Sequence, residues 1–170
     1  VNVCMVIGMP ESGVCIFRAA GFEDTIANYS NIHLIASQNA DWDRQTAKDL
    51  AQTWIEQYDD IDAFYCLNDN MALGVVEAVK ESDYVIGEDM YILSIDGISE
   101  AYDAVRSGDL TSTIAFPPYY LAQMAAEVTV RKLMGQDLPR VIYTPQVVIN
   151  ADNVDTDEAV LVNWTDTQFD

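Results

Sequence analysis

Short apolar, β-branched runs alternate with longer segments of helical periodicity from the first residues up to residue 116. The predicted strands are Asn2–Ile7, Asn31–Ala36, Ile61–Leu67, Met90–Ile95 and Thr111–Ala115. The predicted helices run from Glu11 to about Tyr29, from a cap at Asp41 or Asp43 to about Tyr58, from Asn70 to Lys80, and from a cap at Ser99 to Gly108. Strands this apolar need cover on both faces, so the pattern predicts an α/β fold, a doubly wound parallel sheet with right-handed crossovers.

The pattern changes after Phe116, because the Pro117-Pro118 pair that follows cannot pair within a sheet. A long helix, Tyr119–Met134, and one more strand, Arg140–Ile149, are predicted next. The remaining residues are rich in acids, contain no Lys or Arg, and are expected to form a surface tail. The chain is thus predicted to have three segments: residues 1–116, 117–150 and 151–170.

The net charge of the chain limits the classes of molecule that it can bind. The 170 residues include 28 acidic and 8 basic side chains, for a net charge of −20. Such a chain repels phosphodiester backbones and anionic lipid headgroups, so no nucleic acid partner is expected. No apolar run approaches the roughly twenty residues that span a bilayer, and no signal peptide is recognisable at the start. The three cysteines form no CxxC pair, and we interpret Cys4 and Cys66 as small buried hydrophobic residues.

Ligands of open parallel sheets bind at the carboxyl ends of the strands, where loops and helix N-termini converge. Four side chains near the predicted ends favour a binding role. Trp42 lies in a polar turn and provides either a ligand face or local packing. Arg18 either binds hydroxyls or a carboxylate of a ligand, or forms an internal ion pair with Asp96 or another acid. Asn68 and Asp96 each either bind a ligand or cap the backbone. An aromatic plate with planar polar groups is typical of a sugar site.

Catalytic and metal chemistry find little support in the sequence. His33 is predicted inside a strand, and no Cys–His pair or Ser–His–Asp set is apparent, so we do not expect an enzyme. The loop Gly8–Gly13 lacks the Lys of a phosphate-binding loop and carries an acid instead. Asp43 and Asp69 are interpreted as helix N-terminal charges, and the acidic stretch from Asp152 lacks the offsets of a calcium loop. No metal site and no cofactor are therefore predicted.

A series of motifs resembles, in order, the type I sugar-binding proteins of ABC importers, of the ribose-binding kind. The resemblance covers about residues 3 to 153. The motifs are Arg18-Ala19-Ala20-Gly21-Phe22, Ser37-Gln38-Asn39-Ala40-Asp41-Trp42-Asp43-Arg44, Ile61-Asp62-Ala63-Phe64, Asn68-Asp69-Asn70-Met71-Ala72-Leu73-Gly74, Ile95-Asp96-Gly97 and Gly108-Asp109-Leu110-Thr111-Ser112-Thr113-Ile114. By motif position, Arg18, Trp42, Asn68 and Asp96 match ligand contacts made by the second lobe of such proteins. Phe116 stands where related ribose binders carry a polar amide, which indicates a different ring or a more apolar substituent.

The resemblance implies a solute-binding component that closes two lobes over a monosaccharide or polyol and delivers it to a membrane permease. It implies placement outside the cytoplasm, in the periplasm or as a lipoprotein. Residues 1–116 would form the second, C-terminal lobe and residues 117–150 a hinge-crossing helix and return strand, with the first lobe preceding Val1. The orphaned helix would then pack back on the lobe or sit in a homodimer contact. The alternative is the effector-binding domain of a lac-repressor-type regulator, or a receptor ectodomain, which shares the fold.

Overall fold

A six-stranded sheet with helices on both faces forms the body of the computed structural model, which describes residues 1–144, 146–156 and 159. The strands are β1 (Asn2–Ile7), β2 (His33–Asn39), β3 (Ala63–Cys66), β4 (Tyr91–Asp96), β5 (Ser112–Ala115) and β6 (Val147–Asn150). The helices are α1 (Gly13–Ile26), α2 (Arg44–Gln57), α3 (Asp69–Lys80), α4 (Ser99–Ser107) and α5 (Pro118–Leu133). The predicted α/β class is confirmed.

The strand order β2-β1-β3-β4-β5-β6 places the first two strands of the chain at one side of the sheet and the later ones at the other. Strands β1 to β5 pair in parallel, as predicted, whereas β6 pairs antiparallel with β5. The chain reverses its direction across the sheet between β2 and β3, so a crevice forms beyond the carboxyl ends of the central strands. His33 begins the edge strand β2 and is exposed, which agrees with a structural position.

The helix caps follow the sequence prediction in part. Asp43 caps α2, and its carboxylate accepts a hydrogen bond from the Thr46 amide over 2.8 Å. The predicted cap at Ser99 is wrong, because Ile98 occupies the cap position of α4 and Ser99 is the first helical residue. Gly108 ends that helix as predicted, with a φ of 80° that a residue without a Cβ adopts easily.

Three helices cover one face of the sheet over β1 and β3 to β6, whereas no residue of the edge strand β2 is fully buried. On this face α3 contacts both α2 and α4, α3 and α4 contact the strands, and Trp54 of α2 stacks near Phe64 of β3 at 6.2 Å between ring centroids. Phe64, Ile92 and Ile149 are completely buried there. Helix α1 covers the other face, where Phe22 stacks on Tyr65 at 4.4 Å.

The prediction that every strand is covered on both faces is wrong for the far side of the sheet. Leu93 of β4 pairs in register with Tyr65, and Ile95, Ile114 and Val148 of β4, β5 and β6 follow on the same face, where α1 does not bury them. Leu93, Ile95 and Ile114 are only partly buried, and Val148 is 53% exposed. Helix α5 has no buried residue either. Apolar strands therefore have a full helical layer on one face and a partial layer on the other.

The predicted acidic tail is not entirely a surface segment. Within its described part, Val154 and Ala159 are buried. Tyr102 of α4 donates its hydroxyl hydrogen to the Ala159 carbonyl over 2.8 Å, and Arg106 pairs with Asp155 at 2.7 Å. The start of the segment is thus packed on α4, while residues 157, 158 and 160–170 lie outside the described residues. The division of the chain at residues 116 and 150 stays a prediction.

Asp69 is fully buried and joins the ends of the central strands. Its Oδ1 accepts hydrogen bonds from the hydroxyls of Ser94, at 2.5 Å, and Thr113, at 2.7 Å. Its Oδ2 accepts from the amides of Gly97 and Ile98, at 2.7 and 2.8 Å. Burial raises the pKa of this carboxyl, and the four donors oppose that shift. Asp69 is a charge in the first turn of α3, as predicted, but its carboxylate bonds to β4, β5 and the loop after β4 and not to the amides of its own helix.

We expect Asp69→Ala to lower the free energy of unfolding by about 3 to 5 kcal/mol, because two buried hydroxyls and two amides lose their acceptor. Asp69→Asn is expected to cost about 1 to 2 kcal/mol, since the hydroxyls can rotate to accept from the new amide nitrogen. Urea denaturation of the two variants beside the parent protein checks this order. An alanine variant as stable as the parent would contradict the anchoring role.

Candidate functional site

Four of the five residues singled out in the sequence lie around one cavity at the carboxyl ends of the strands. The cavity has a volume of about 290 Å³. It is lined by Ser12, Val14, Arg18, Trp42, Asn68 and Asp96. Residues from β4, from α1 and from the loops after β2 and β3 thus meet there, as the topology of a parallel sheet requires.

Arg18 and Asp96 form an ion pair in the wall of the cavity. Arg18 Nη2 lies 2.8 Å from Asp96 Oδ1, and Nη1 donates to the Leu67 carbonyl over 2.6 Å. The side chains are 20% and 17% exposed, respectively. Burial raises the pKa of Asp96, and the charge of Arg18 opposes that shift. The internal ion pair considered from the sequence is confirmed, and each charge is offset by the other in the wall of the cavity.

The turn that carries Asp96 has an unusual backbone. Asp96 has a φ of 133° and Gly97 a φ of 83°. A Cβ on Gly97 would lie 2.7 Å from Cβ of Ala115, so glycine is required by both conformation and space. The amide of Gly97 donates to the buried Asp69, which holds the turn in this conformation. The strained residue at a strand end therefore has a structural support directly behind it.

Asn68 has a capping role and also lines the cavity. Its Oδ1 accepts from the amide of Met71 over 2.9 Å and so caps α3. Among the described residues, its amide nitrogen donates to no protein atom, so that group is available on the cavity side. The alternative that Asn68 caps the backbone is therefore confirmed for its side-chain oxygen.

The position of the Trp42 ring depends on Gly8, which follows the neighbouring strand β1. A Cβ on Gly8 would lie 2.1 Å from Cε2 of the indole, so the ring lies directly against the Gly8 backbone. The side chain is half-buried and lines the cavity. Nothing in the sequence links Gly8 to a residue 34 positions later, and only the pairing of β1 with β2 brings the two together.

Phe116 does not line the cavity around Arg18, Trp42, Asn68 and Asp96. It lines an adjoining cavity of about 480 Å³ together with Phe17, Ile95, Ile114 and four further residues. Val14 and Arg18 line both cavities. The adjoining space is mainly apolar, whereas the first cavity has a mixed polar and aromatic lining, and Arg18 borders both.

Other candidate chemistry is sparse in the described part of the chain. Cys4, Cys15 and Cys66 are free and buried, and burial raises their thiol pKa values, that of Cys4 to about 12. This confirms the interpretation of Cys4 and Cys66 as buried apolar residues. No cluster of three His, Cys, Asp or Glu side chains suited to a metal ion occurs among the described residues. None of the described helices has the length and apolar character needed to cross a membrane.

Comparison with known proteins decides the family. A model described as "Periplasmic binding protein domain" matches residues 1–137. The chain belongs to this family. It is 40% identical over 101 residues to the D-allose-binding periplasmic protein of Escherichia coli K12, covering 59% of this chain and 32% of that protein. It is 28% identical over 144 residues to the ribose import binding protein of Bacillus subtilis 168, covering 85% of this chain and 45% of that protein.

Solved structures of the same family agree in fold. The binding protein of the arabinose ABC transporter from Shewanella sp. ANA-3, bound to L-arabinofuranose, matches with a TM-score of 0.82 at 30% identity. That match covers 90% of this chain and 51% of the other. A periplasmic solute-binding protein from Actinobacillus succinogenes with bound D-allose also gives 0.82, at 27% identity, covering 90% and 54%. The chain spans between about a third and a half of the length of the first curated relatives it matches.

Gly8→Ala is expected to displace the indole of Trp42, because the new Cβ would overlap three of its ring carbons at 2.1 to 2.3 Å. The near-ultraviolet circular dichroism of the tryptophan bands should change. Gly13→Ala is the matched control, since a Cβ there meets no atom within 4 Å. Identical spectra for the parent and Gly8→Ala would contradict the packing described.

Proposed function

We propose that this domain belongs to the solute-binding component of an ABC-type sugar importer and holds a monosaccharide or related polyol without covalent change. The observation that carries the proposal is the single cavity where an indole, an amide and an Arg–Asp pair meet. We assign ligand contacts to Arg18, Trp42, Asn68 and Asp96, and a contact on the apolar side to Phe116.

The chemistry of these groups suits a sugar. The apolar face of a pyranose or furanose ring stacks on an indole, while vicinal hydroxyls bond to planar amide, carboxylate and guanidinium groups. Each such hydrogen bond contributes about 1 kcal/mol net, and more where the protein group is charged. Several bonds and one stacking contact together give selective binding without a catalytic residue.

A neutral ligand fits the electrostatics of the cavity. Arg18 already bonds to Asp96 and to the Leu67 carbonyl, so its charge is offset before a ligand arrives. A carboxylate or phosphate ligand would compete with Asp96 for the guanidinium, in a chain whose net charge is −20. Hydroxyl groups bond to both partners at once, because they donate to the carboxylate and accept from the guanidinium.

The rest of the proposal concerns the whole protein. We infer two lobes that close over the solute, delivery to a membrane permease, and placement outside the cytoplasm, as a periplasmic protein or lipoprotein. Support comes from the family, from the names of relatives that include a periplasmic protein and an import protein, and from the share of those relatives that this domain spans. These relatives favour the importer over a lac-repressor-type regulator. The homodimer stays a prediction.

Isothermal titration calorimetry of the full-length protein tests the proposal against a panel of neutral pentoses, hexoses and polyols, with the corresponding uronic acids as charged counterparts. We expect saturable heat with at least one neutral compound and weaker or no binding of its uronic acid. Absence of saturable heat across the whole panel would overturn the proposed function.

Asp96→Ala is expected to weaken binding of the best ligand in that panel by about 2 to 4 kcal/mol, because a charged hydrogen-bond acceptor is lost. Asp103→Ala is the matched control, since its exposed carboxylate pairs with Arg106 on α4 and does not line the cavity. Thermal melts of both variants separate loss of binding from loss of the fold. An unchanged dissociation constant in Asp96→Ala would assign Asp96 a structural role only.

Phe116→Gln is expected to change selectivity more than stability. A ligand hydroxyl that faces the Phe116 ring, and not the polar side chains of Arg18 or Gln146 in the same compartment, has no hydrogen-bond partner there, which costs about 1 to 3 kcal/mol. A deoxy sugar that lacks this hydroxyl should therefore bind better than its hydroxylated parent. The glutamine variant should reduce or reverse that preference. Titration of both proteins with D-galactose and 6-deoxy-D-galactose, and with D-ribose and 2-deoxy-D-ribose, measures it. An equal preference in both proteins would contradict the assignment of Phe116.

A further inference from the structure

The loop that carries Trp42 contains two consecutive residues in the left-handed region of backbone conformation. φ is 52° at Asp41 and 65° at Trp42, and neither residue is a glycine. This conformation is unfavourable for residues with a Cβ, so contacts in the surrounding structure must hold it. Those contacts fix the direction in which the indole leaves the backbone.

Asp41 is held within the loop itself. Asn39 Nδ2 donates to Asp41 Oδ1 over 2.7 Å, and the amide of Asp41 donates to Asn39 Oδ1 over 2.8 Å. These bonds shape the turn. They join residues only two positions apart, so they do not fix the turn relative to the helices around the cavity.

Trp42 is held from another part of the chain, by Asn70 in the first turn of α3. Asn70 Nδ2 donates to the Trp42 carbonyl over 3.0 Å, and Asn70 Oδ1 accepts from Arg44 Nε over 3.2 Å. A carbonyl only accepts and a guanidinium only donates, so these two neighbours set the orientation of the Asn70 amide. The amide therefore bridges the loop and the start of α2.

Arg44 is in turn fixed from α4. Its Nη2 donates to Glu100 Oε2 over 2.6 Å, and its Nη1 to Oε1 over 3.4 Å. This two-point pairing holds the guanidinium plane, and it lowers the pKa of Glu100, so the carboxylate is charged at neutral pH. A continuous series of hydrogen bonds thus connects α4, α2 and α3 to the backbone of Trp42.

We propose that Asn70, supported by Arg44 and Glu100, is a positioning residue that sets the direction of the Trp42 ring in the cavity. The role in ligand stacking rests on the proposed function, whereas the control of ring direction does not. Gly8 supplies the surface against which the ring lies, and Asn70 holds the backbone from which the ring projects.

Asn70→Asp tests the proposal in the full-length protein. The variant keeps an oxygen for Arg44 but places a carboxylate oxygen, with no hydrogen to donate, against the Trp42 carbonyl. Labelling with 5-fluorotryptophan gives a ¹⁹F resonance for Trp42, which is assigned by its loss in Trp42→Phe. We expect this resonance to shift and broaden in Asn70→Asp, and to change less in Arg44→Lys, which keeps the charge opposite Glu100 but loses the Nε donor.

Asn28→Ala is the matched control. Asn28 makes the same kind of side chain-to-carbonyl bond, from Nδ2 to the Asp24 carbonyl over 2.9 Å, at the end of α1 and away from the cavity. The Trp42 resonance should stay unchanged in that variant. A Trp42 resonance with parental shift and width in both Asn70→Asp and Asn70→Ala would overturn the proposal.

The consequence for binding is measured with the best ligand of the sugar panel. Asn70→Asp should weaken binding about tenfold, because the hydrogen bond that holds the Trp42 backbone in place is lost. It should have little further effect when Trp42 is already replaced by alanine, because the two residues act as one unit. Additive losses would overturn the positioning role. If no sugar in the panel binds, the proposed function fails while the ¹⁹F measurement still decides whether Asn70 controls the ring.

Discussion

The buried carboxylate of Asp69 is the contact on which the geometry of the candidate site depends. A charge without access to water is unfavourable unless its lone pairs are used, and here two hydroxyls and two amides donate to the two oxygens. The donors come from β4, from β5 and from the loop after β4, while Asp69 itself begins α3. One side chain therefore fixes the positions of Asn68, its neighbour in the chain, and Asp96, the residue before one of its donors.

The same arrangement explains how unfavourable backbone persists at the cavity. Asp96 has a positive φ directly beside the amide that Asp69 binds, and Asp41 and Trp42 are held by Asn39 and Asn70. Groups that are supported in this way need little reorganisation when a ligand arrives, and that favours affinity. The internal ion pair of Arg18 with Asp96 also reduces the reorganisation needed on binding, because each charge orients the other before any solute is present.

The sheet itself is less symmetrical than its apolar strands indicate. Helices α2, α3 and α4 bury the side chains of the central strands on one face, whereas on the other face α1 leaves Leu93, Ile95 and Ile114 partly exposed. Hydrophobic periodicity reports which side chains avoid water and not which element covers them. The apolar compartment beside Phe116 lies at this partly covered region, since Ile95 and Ile114 line it.

The sequence by itself determined the order and type of the elements up to α5, the parallel pairing of the first five strands and the four polar and aromatic residues that line the cavity. Local periodicity, turn residues and motif spacing are properties of neighbouring positions, so they can be recognised without coordinates. The tertiary structure alone decided that Asp69 binds β4 and β5 instead of its own helix, that Gly8 lies beneath Trp42, that Asn70 holds the Trp42 backbone and that β6 runs antiparallel. Each of these is a contact between residues far apart in the chain, and its energy depends on burial and on donor geometry that exist only once the strands have paired.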